Sequence, residues 1–163
     1  MIVSDSSTLI LLAKISILDT FLNNIKLKVV VPKKVYLECV SKDGTFDAKL
    51  IEQRAKEGKI IIKEINQHKI YSKLIQDFGI GQGEAEAITL CIEEKNKLLT
   101  DDKKAINICK IFHMDFTTAP NILVSLYKKN KISKEKAELS VKKLQLYGRY
   151  SQEIMQKIKE EIK

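Results

Sequence analysis

Five acidic residues stand where an α/β chain can gather them: Asp5, Glu38, Glu84, Asp101 and Asp102. Asp5 follows the short run Ile2-Val3-Ser4, and Asp101-Asp102 follow Leu98-Leu99-Thr100. An open parallel sheet collects ligands beyond the carboxyl ends of its strands, so these acids converge if the two strands are neighbours. Glu38 lies in the helix after a second strand, and Glu84 opens the helix before the Leu98–Thr100 strand, which lets both face the same crevice. Four or five carboxylates in one pocket repel one another by kilocalories unless something neutralises them. A hard divalent cation that prefers oxygen, Mg²⁺ or Mn²⁺, does so.

Taken singly, each acid has a plainer role. Asp5 suits the N-cap of the helix that follows it, and Asp101 or Asp102 suits the cap of the next one. Glu84 in a first helical turn complements the helix dipole. Glu86 reads as a surface residue of the same helix. Glu38 is set among Val35, Tyr36, Leu37, Cys39 and Val40, yet one polar position in such a helix is ordinary. The chemistry therefore rests on the set.

The elements that must position these acids alternate between short β-branched runs and amphipathic stretches, the pattern of an α/β fold with a parallel sheet. Ile2–Ser4 reads as the first strand, with Ser6 or Ser7 capping a helix over Thr8–Ile15. Lys28–Val31 is a second strand stopped by Pro32, which can start the helix Lys33–Val40. A helix over Asp47–Glu57 ends at Gly58, an edge-like strand follows at Ile60–Ile62, and residues 67–78 form a helix closed by Gly79. Gly79-Ile80-Gly81-Gln82-Gly83 is a shaping turn before the helix Glu84–Glu94. It does not follow a strand, so a dinucleotide-binding loop is rejected. Leu98–Thr100 is a buried strand; a helix over Lys103–Phe112 and a strand at Asp115–Thr118 complete the sheet region. Helices occupy the remainder, one opening at Ser133 and another covering Gln152–Lys163.

At 163 residues, 44% hydrophobic and 31% charged, the chain suits one globular domain. No apolar run approaches the roughly 18–20 residues of a membrane span. The start MIVSDSSTLILLAK lacks a basic leader, so a cytoplasmic location is expected. Cys39, Cys91 and Cys109 show no metal-binding spacing and read as buried thiols; His68 and His113 stand alone, which disfavours zinc and triad chemistry. A net charge of +8 and a pI of about 9.3 fit a polyanionic partner, although dispersed lysine is equally a solvated surface.

Four segments resemble the motifs of PIN-domain proteins: Val3-Ser4-Asp5-Ser6-Ser7-Thr8, Pro32 through Val40 with its Glu38, Gly83-Glu84-Ala85-Glu86-Ala87, and Leu98-Leu99-Thr100-Asp101-Asp102. Their order and setting agree over residues 1 to about 125, and the rest resembles the helical extension of a subgroup with a GEAEA-type third motif. The resemblance implies a three-layer α/β/α fold with a central parallel sheet of four to five strands. It places the nuclease domain at 1–130 and the helical C-terminal extension at 131–163.

It implies an endoribonuclease dependent on Mg²⁺ or Mn²⁺, with Asp5 as the central ligand and Asp101 or Asp102 opposite it. Glu38 and Glu84 would complete the site; Glu84 replaces an aspartate common at that place. Family spacing favours Asp102 as the fourth ligand, while strand-end geometry equally suits Asp101. Ser7 or Thr8 would bond a ligand carboxylate, and Lys33, Lys34, Lys103 and Lys104 would rim the pocket for RNA. Within the family the chain looks most like the VapC toxin ribonucleases, which implies a homodimer silenced by a small antitoxin protein and no membrane partner. A housekeeping RNA-processing enzyme and a catalytically inactive binding or scaffold protein are the alternatives.

Overall fold

The computed structural model describes residues 1–42 and 44–163. The chain runs through β1 (Ile2–Ser4), α1 (Ser6–Lys14), α2 (Leu18–Asn24), β2 (Val29–Pro32) and α3 (Lys33–Val40). It continues through α4 (Phe46–Lys56), β3 (Ile60–Lys63), α5 (His68–Phe78), α6 (Gln82–Glu94) and β4 (Lys97–Leu99). The last elements are α7 (Lys103–Ile111), β5 (Phe116–Thr117), α8 (Ala119–Lys128), α9 (Lys134–Tyr147) and α10 (Gln152–Glu161).

The five strands form one parallel sheet in the order β3-β2-β1-β4-β5. Helices cover it on both sides in the three-layer arrangement expected from the sequence. Such a sheet is buried on both faces, which is why its strands are continuous aliphatic runs instead of alternating ones. Val29, Val30 and Val31 are all buried, each contributing roughly 1.5–3 kcal/mol of hydrophobic stabilisation. The chain winds outward from β1 to β3, then returns to lay β4 against the other side of β1. The order of strands reverses between β1 and β4, and Ser4 is in register with Leu99 there.

Most elements lie within one or two residues of their sequence expectation, and α3 spans the expected residues. Three differ. The first helix starts at Ser6, because Asp5 itself takes the cap position and accepts from the Thr8 amide. α6 starts at Gln82, taking in the end of the glycine-rich turn. α2 was not foreseen: Leu18 and Phe21 bury into the core, and Asp19 holds a bidentate pair with Arg54 of α4 at 2.5 and 3.0 Å.

The helices after Lys134 share the same core. Ala137, Val141 and Leu144 of α9 and Met155, Ile158 and Ile162 at α10 belong to one continuous apolar cluster with the sheet. The buried Ser140 hydroxyl donates to the Ile15 carbonyl at 2.9 Å, tying α9 to the end of α1. Among the described residues no single helix is long and apolar enough to cross a membrane.

Candidate active site

The reversal point between β1 and β4 is where an open parallel sheet leaves a crevice, and Asp5 stands at its edge. The Asp5 amide donates to the Leu99 carbonyl at 3.0 Å, extending the ladder by one residue beyond β1. Its side chain is 2% exposed. One carboxylate oxygen, Oδ1, accepts from the Thr8 amide at 2.9 Å and the Ser7 hydroxyl at 3.0 Å. The other, Oδ2, accepts a short hydrogen bond from the Thr100 hydroxyl. Burial raises the Asp5 carboxyl to about 6 despite these three donors, and the charge of Asp101 adds to the rise.

Asp101 lies one residue past Thr100 and is joined to Asp5 through Thr8. The Thr8 hydroxyl donates to Asp101 Oδ2 at 2.8 Å while the Thr8 amide serves Asp5. The Ala119 amide at the start of α8 also donates to Asp101 Oδ2, at 3.0 Å. The Tyr150 hydroxyl makes a short bond to Oδ1. Burial pushes the Asp101 carboxyl upward too, while its three donors pull it back. The Tyr150 phenol is itself pushed far above its ordinary value by burial and by Asp101.

Asp102 is used differently. Its Oδ1 accepts from the Ala105 amide at 2.8 Å, making it the N-cap of α7. It still borders the same pocket: a cleft of about 270 Å³ is lined by Ser7, Glu84, Asp101, Asp102, Arg149 and Tyr150 among others. Glu84 lines this cleft, and Asp5 is linked to two of its lining residues, to Ser7 directly and to Asp101 through Thr8.

Glu38 reaches the area from α3 and accepts from the Ser6 hydroxyl at 2.7 Å. Its carboxylate lies against Gly83: a Cβ there would stand 2.6 Å from both Glu38 oxygens. The glycine before Glu84 thus lets the Glu38 carboxylate rest directly against α6, and a side chain there would push that carboxylate away. Glu86, expected at the surface, is buried at 8% exposure. Its carboxylate accepts from the Lys34 amide at 3.0 Å and so caps α3 from a neighbouring helix. Sequence carried a signal for this: Gly83 to Cys91 has no polar face beyond the Glu84–Glu86 pair and Thr89, and all but Glu84 are buried.

The basic rim is partly redistributed. Lys34 is bonded to Tyr71 at 2.8 Å and Gln82 at 2.9 Å, Lys33 pairs with Glu64, and Lys104 donates to the Gly79 carbonyl. Lys103 lines a larger cavity of about 640 Å³ between α7, α8 and α10, which also reaches Asp101. Arg149 and Lys14 border the acidic cleft and were not singled out by sequence, nor were Thr100 and Tyr150.

The donor set is entirely hard oxygen, from carboxylates beside hydroxyls, which fits Mg²⁺ or Mn²⁺ and excludes a thiolate or imidazole site. A buried and a half-buried carboxyl raised together also describe a place short of positive charge. Among the described residues, no group of three acidic, histidine or cysteine side chains is drawn together tightly enough to enclose an ion. The cysteines are buried and unpaired, with burial raising Cys109 to about 11 and Cys91 to about 12.

A doubly wound parallel sheet with an acidic cleft at its reversal point defines the class of protein. The family model described as PIN domain matches residues 1–163, and the chain belongs to the PIN-domain family. A search of curated proteins gives no match. PIN domains are typically nucleases and generally use divalent metal ions.

Proposed function

We propose that this protein is a divalent-metal-dependent endoribonuclease and the toxin of a toxin–antitoxin pair similar to VapC. The observation that carries the nuclease reading is the Asp5–Thr8–Asp101 bridge across the ends of β1 and β4. One threonine fixes a buried and a half-buried carboxylate side by side, at a place where their charges are unfavourable unless a cation or protons compensate them. Asp5 and Asp101 are the principal ligands of Mg²⁺ or Mn²⁺, with Glu84 completing the set and Asp102 at the cleft edge. When bound, the metal supplies an activated water and charge stabilisation at the phosphate.

The chain's own groups do the remaining work. Ser7, Thr8 and Thr100 hold Asp5 and Asp101 in orientation, because each donates to a carboxylate oxygen. Glu38, held by Ser6 beside Gly83, is placed to orient a water or accept a proton. Arg149 and Lys14 at the cleft and Lys103 at the adjoining cavity offer positive charge to an RNA backbone that the acids alone would repel. The resemblance supports the toxin assignment, the antitoxin partner and the homodimer, and the basic charge supports an RNA substrate.

The test uses purified wild type and Asp5→Asn with a mixed labelled RNA pool, in Mn²⁺, Mg²⁺ or EDTA. Cleavage that requires metal and vanishes in Asp5→Asn supports the nuclease. Growth arrest on expression of wild type but not Asp5→Asn supports the toxin role, and cleavage without arrest assigns a housekeeping one. A folded, inhibitor-free wild type that neither binds metal nor cuts any RNA refutes the reading and leaves a scaffold.

A further inference from the structure

Asp101 is fixed by an element that lies outside the sheet. Thr8 and Ala119 both approach it from the Oδ2 side, at 2.8 and 3.0 Å, with the Ala119 amide reaching Oδ1 only at 3.3 Å. The terminal torsion of an aspartate is broad and roughly two-fold, so with Oδ1 held only by the longer arm of the bifurcated Ala119 bond the carboxylate plane is less firmly set. The Tyr150 hydroxyl donates to Oδ1 and closes that freedom. A carboxylate has about four acceptor sites, so three donors still leave room for a cation.

The segment between α9 and α10 is built to bring Tyr150 there. Ser140 ties α9 to Ile15, and Val141 and Leu144 bury against the core. A Cβ on Gly148 would lie 2.7 Å from the Leu144 carbonyl oxygen and would collide with the Tyr150 ring. Glycine alone lets the chain turn tightly enough off α9 for the ring to fold back. Beyond it, Ser151 caps α10, whose Met155 and Ile158 are buried. The Tyr150 side chain thereby becomes the wall between the 270 Å³ acidic cleft and the 640 Å³ cavity, lining both.

We propose that Tyr150 is a positioning residue for Asp101, and that the α9–α10 segment is therefore part of the metal site instead of an appendage to it. This rests on the reading of Asp101 as a metal ligand. The experiment compares wild type, Tyr150→Phe and Asp5→Asn by calorimetric Mn²⁺ titration, by urea unfolding in EDTA and by steady-state cleavage. Phenylalanine keeps the ring and removes only the donor. Tyr150→Phe is expected to bind Mn²⁺ about tenfold more weakly, the lower end of what outer hydrogen-bond partners of metal ligands contribute. Its kcat falls with little change in KM for RNA, and its unfolding midpoint in EDTA stays near wild type. Mn²⁺ affinity equal to or tighter than wild type overturns the role of Tyr150 alone, since the wild-type and Asp5→Asn arms still report the site. Weakened binding that merely follows a comparable loss of folding stability overturns it as well. Wild type that takes up no Mn²⁺ sinks the nuclease reading, and this role with it.

Discussion

Replacing Asp5 by Asn should make the metal-free protein more stable at neutral pH, and the gain should disappear in acid. Asp5 is buried with its carboxyl raised from 3.8 to about 6. A carboxyl raised in the folded state holds its proton there after the unfolded chain has released it. Between about pH 4 and 6 the native state binds more protons than the unfolded one, so stability falls as pH rises through that window. A shift of that size costs about 3 kcal/mol once pH exceeds the folded value, and about 1 kcal/mol near pH 4.5. Asparagine is neutral throughout and nearly the same shape, and its carbonyl can keep the bonds from Ser7 and the Thr8 amide. Urea unfolding in EDTA should therefore show the stability difference, Asp5→Asn minus wild type, growing by about 2 kcal/mol from pH 4.5 to 7. Other titrating groups are shared by both proteins and cancel in that difference. A difference that is flat across this range, or that favours wild type increasingly as pH rises, refutes the claim that Asp5 is a desolvated acid held against its preference.

Thr8→Val conserves shape but removes the hydroxyl that bridges the two acids, while Asp101 Oδ2 keeps the Ala119 amide. A loss of about 0.5–1.5 kcal/mol in urea unfolding is expected, the net worth of one hydrogen bond, together with weakened Mn²⁺ uptake. Gly83→Ala should improve helix propensity by about 1 kcal/mol while driving a Cβ into the Glu38 carboxylate; cleavage should fall while stability barely moves, and wild-type cleavage would show that Glu38 has no fixed task. Glu86→Ala removes the acceptor that caps α3, and thermal or urea unfolding should report a loss of about 1–2 kcal/mol with the cleavage rate of the folded protein retained.

The sheet and the two aspartate-bearing strand ends were legible because their determinants are local: aliphatic β-branched runs that stop at an acid, in an alternating α/β order. The meeting of those ends depends on strand order, which short sequence cannot supply; the register of Ser4 with Leu99 provides it. The different surroundings of Asp101 and Asp102 likewise come from tertiary contacts. Two adjacent aspartates look alike in sequence, yet one accepts from Thr8, Ala119 and Tyr150 while the other caps α7. Glu86 was misplaced because periodicity assumes a helix with one wet face, whereas α6 is covered nearly all round. Tyr150 was invisible for another reason. It is 49 residues from its partner, and nothing about an isolated tyrosine before a serine cap announces a carboxylate beside it.

The position of Tyr150 in the chain bears on when the protein acquires its chemistry. A ribosome making this protein delivers all five strands, and both aspartates, well before residue 150 leaves it. Domains begin to fold as they emerge, N-terminal parts first. Until α9 and α10 are made, the growing chain lacks both the Tyr150 hydroxyl and the part of the apolar cluster that those helices complete. Asp101 thus gains its last hydrogen bond from a segment made after the whole sheet, and a chain cut before residue 150 keeps both aspartates but never acquires that bond.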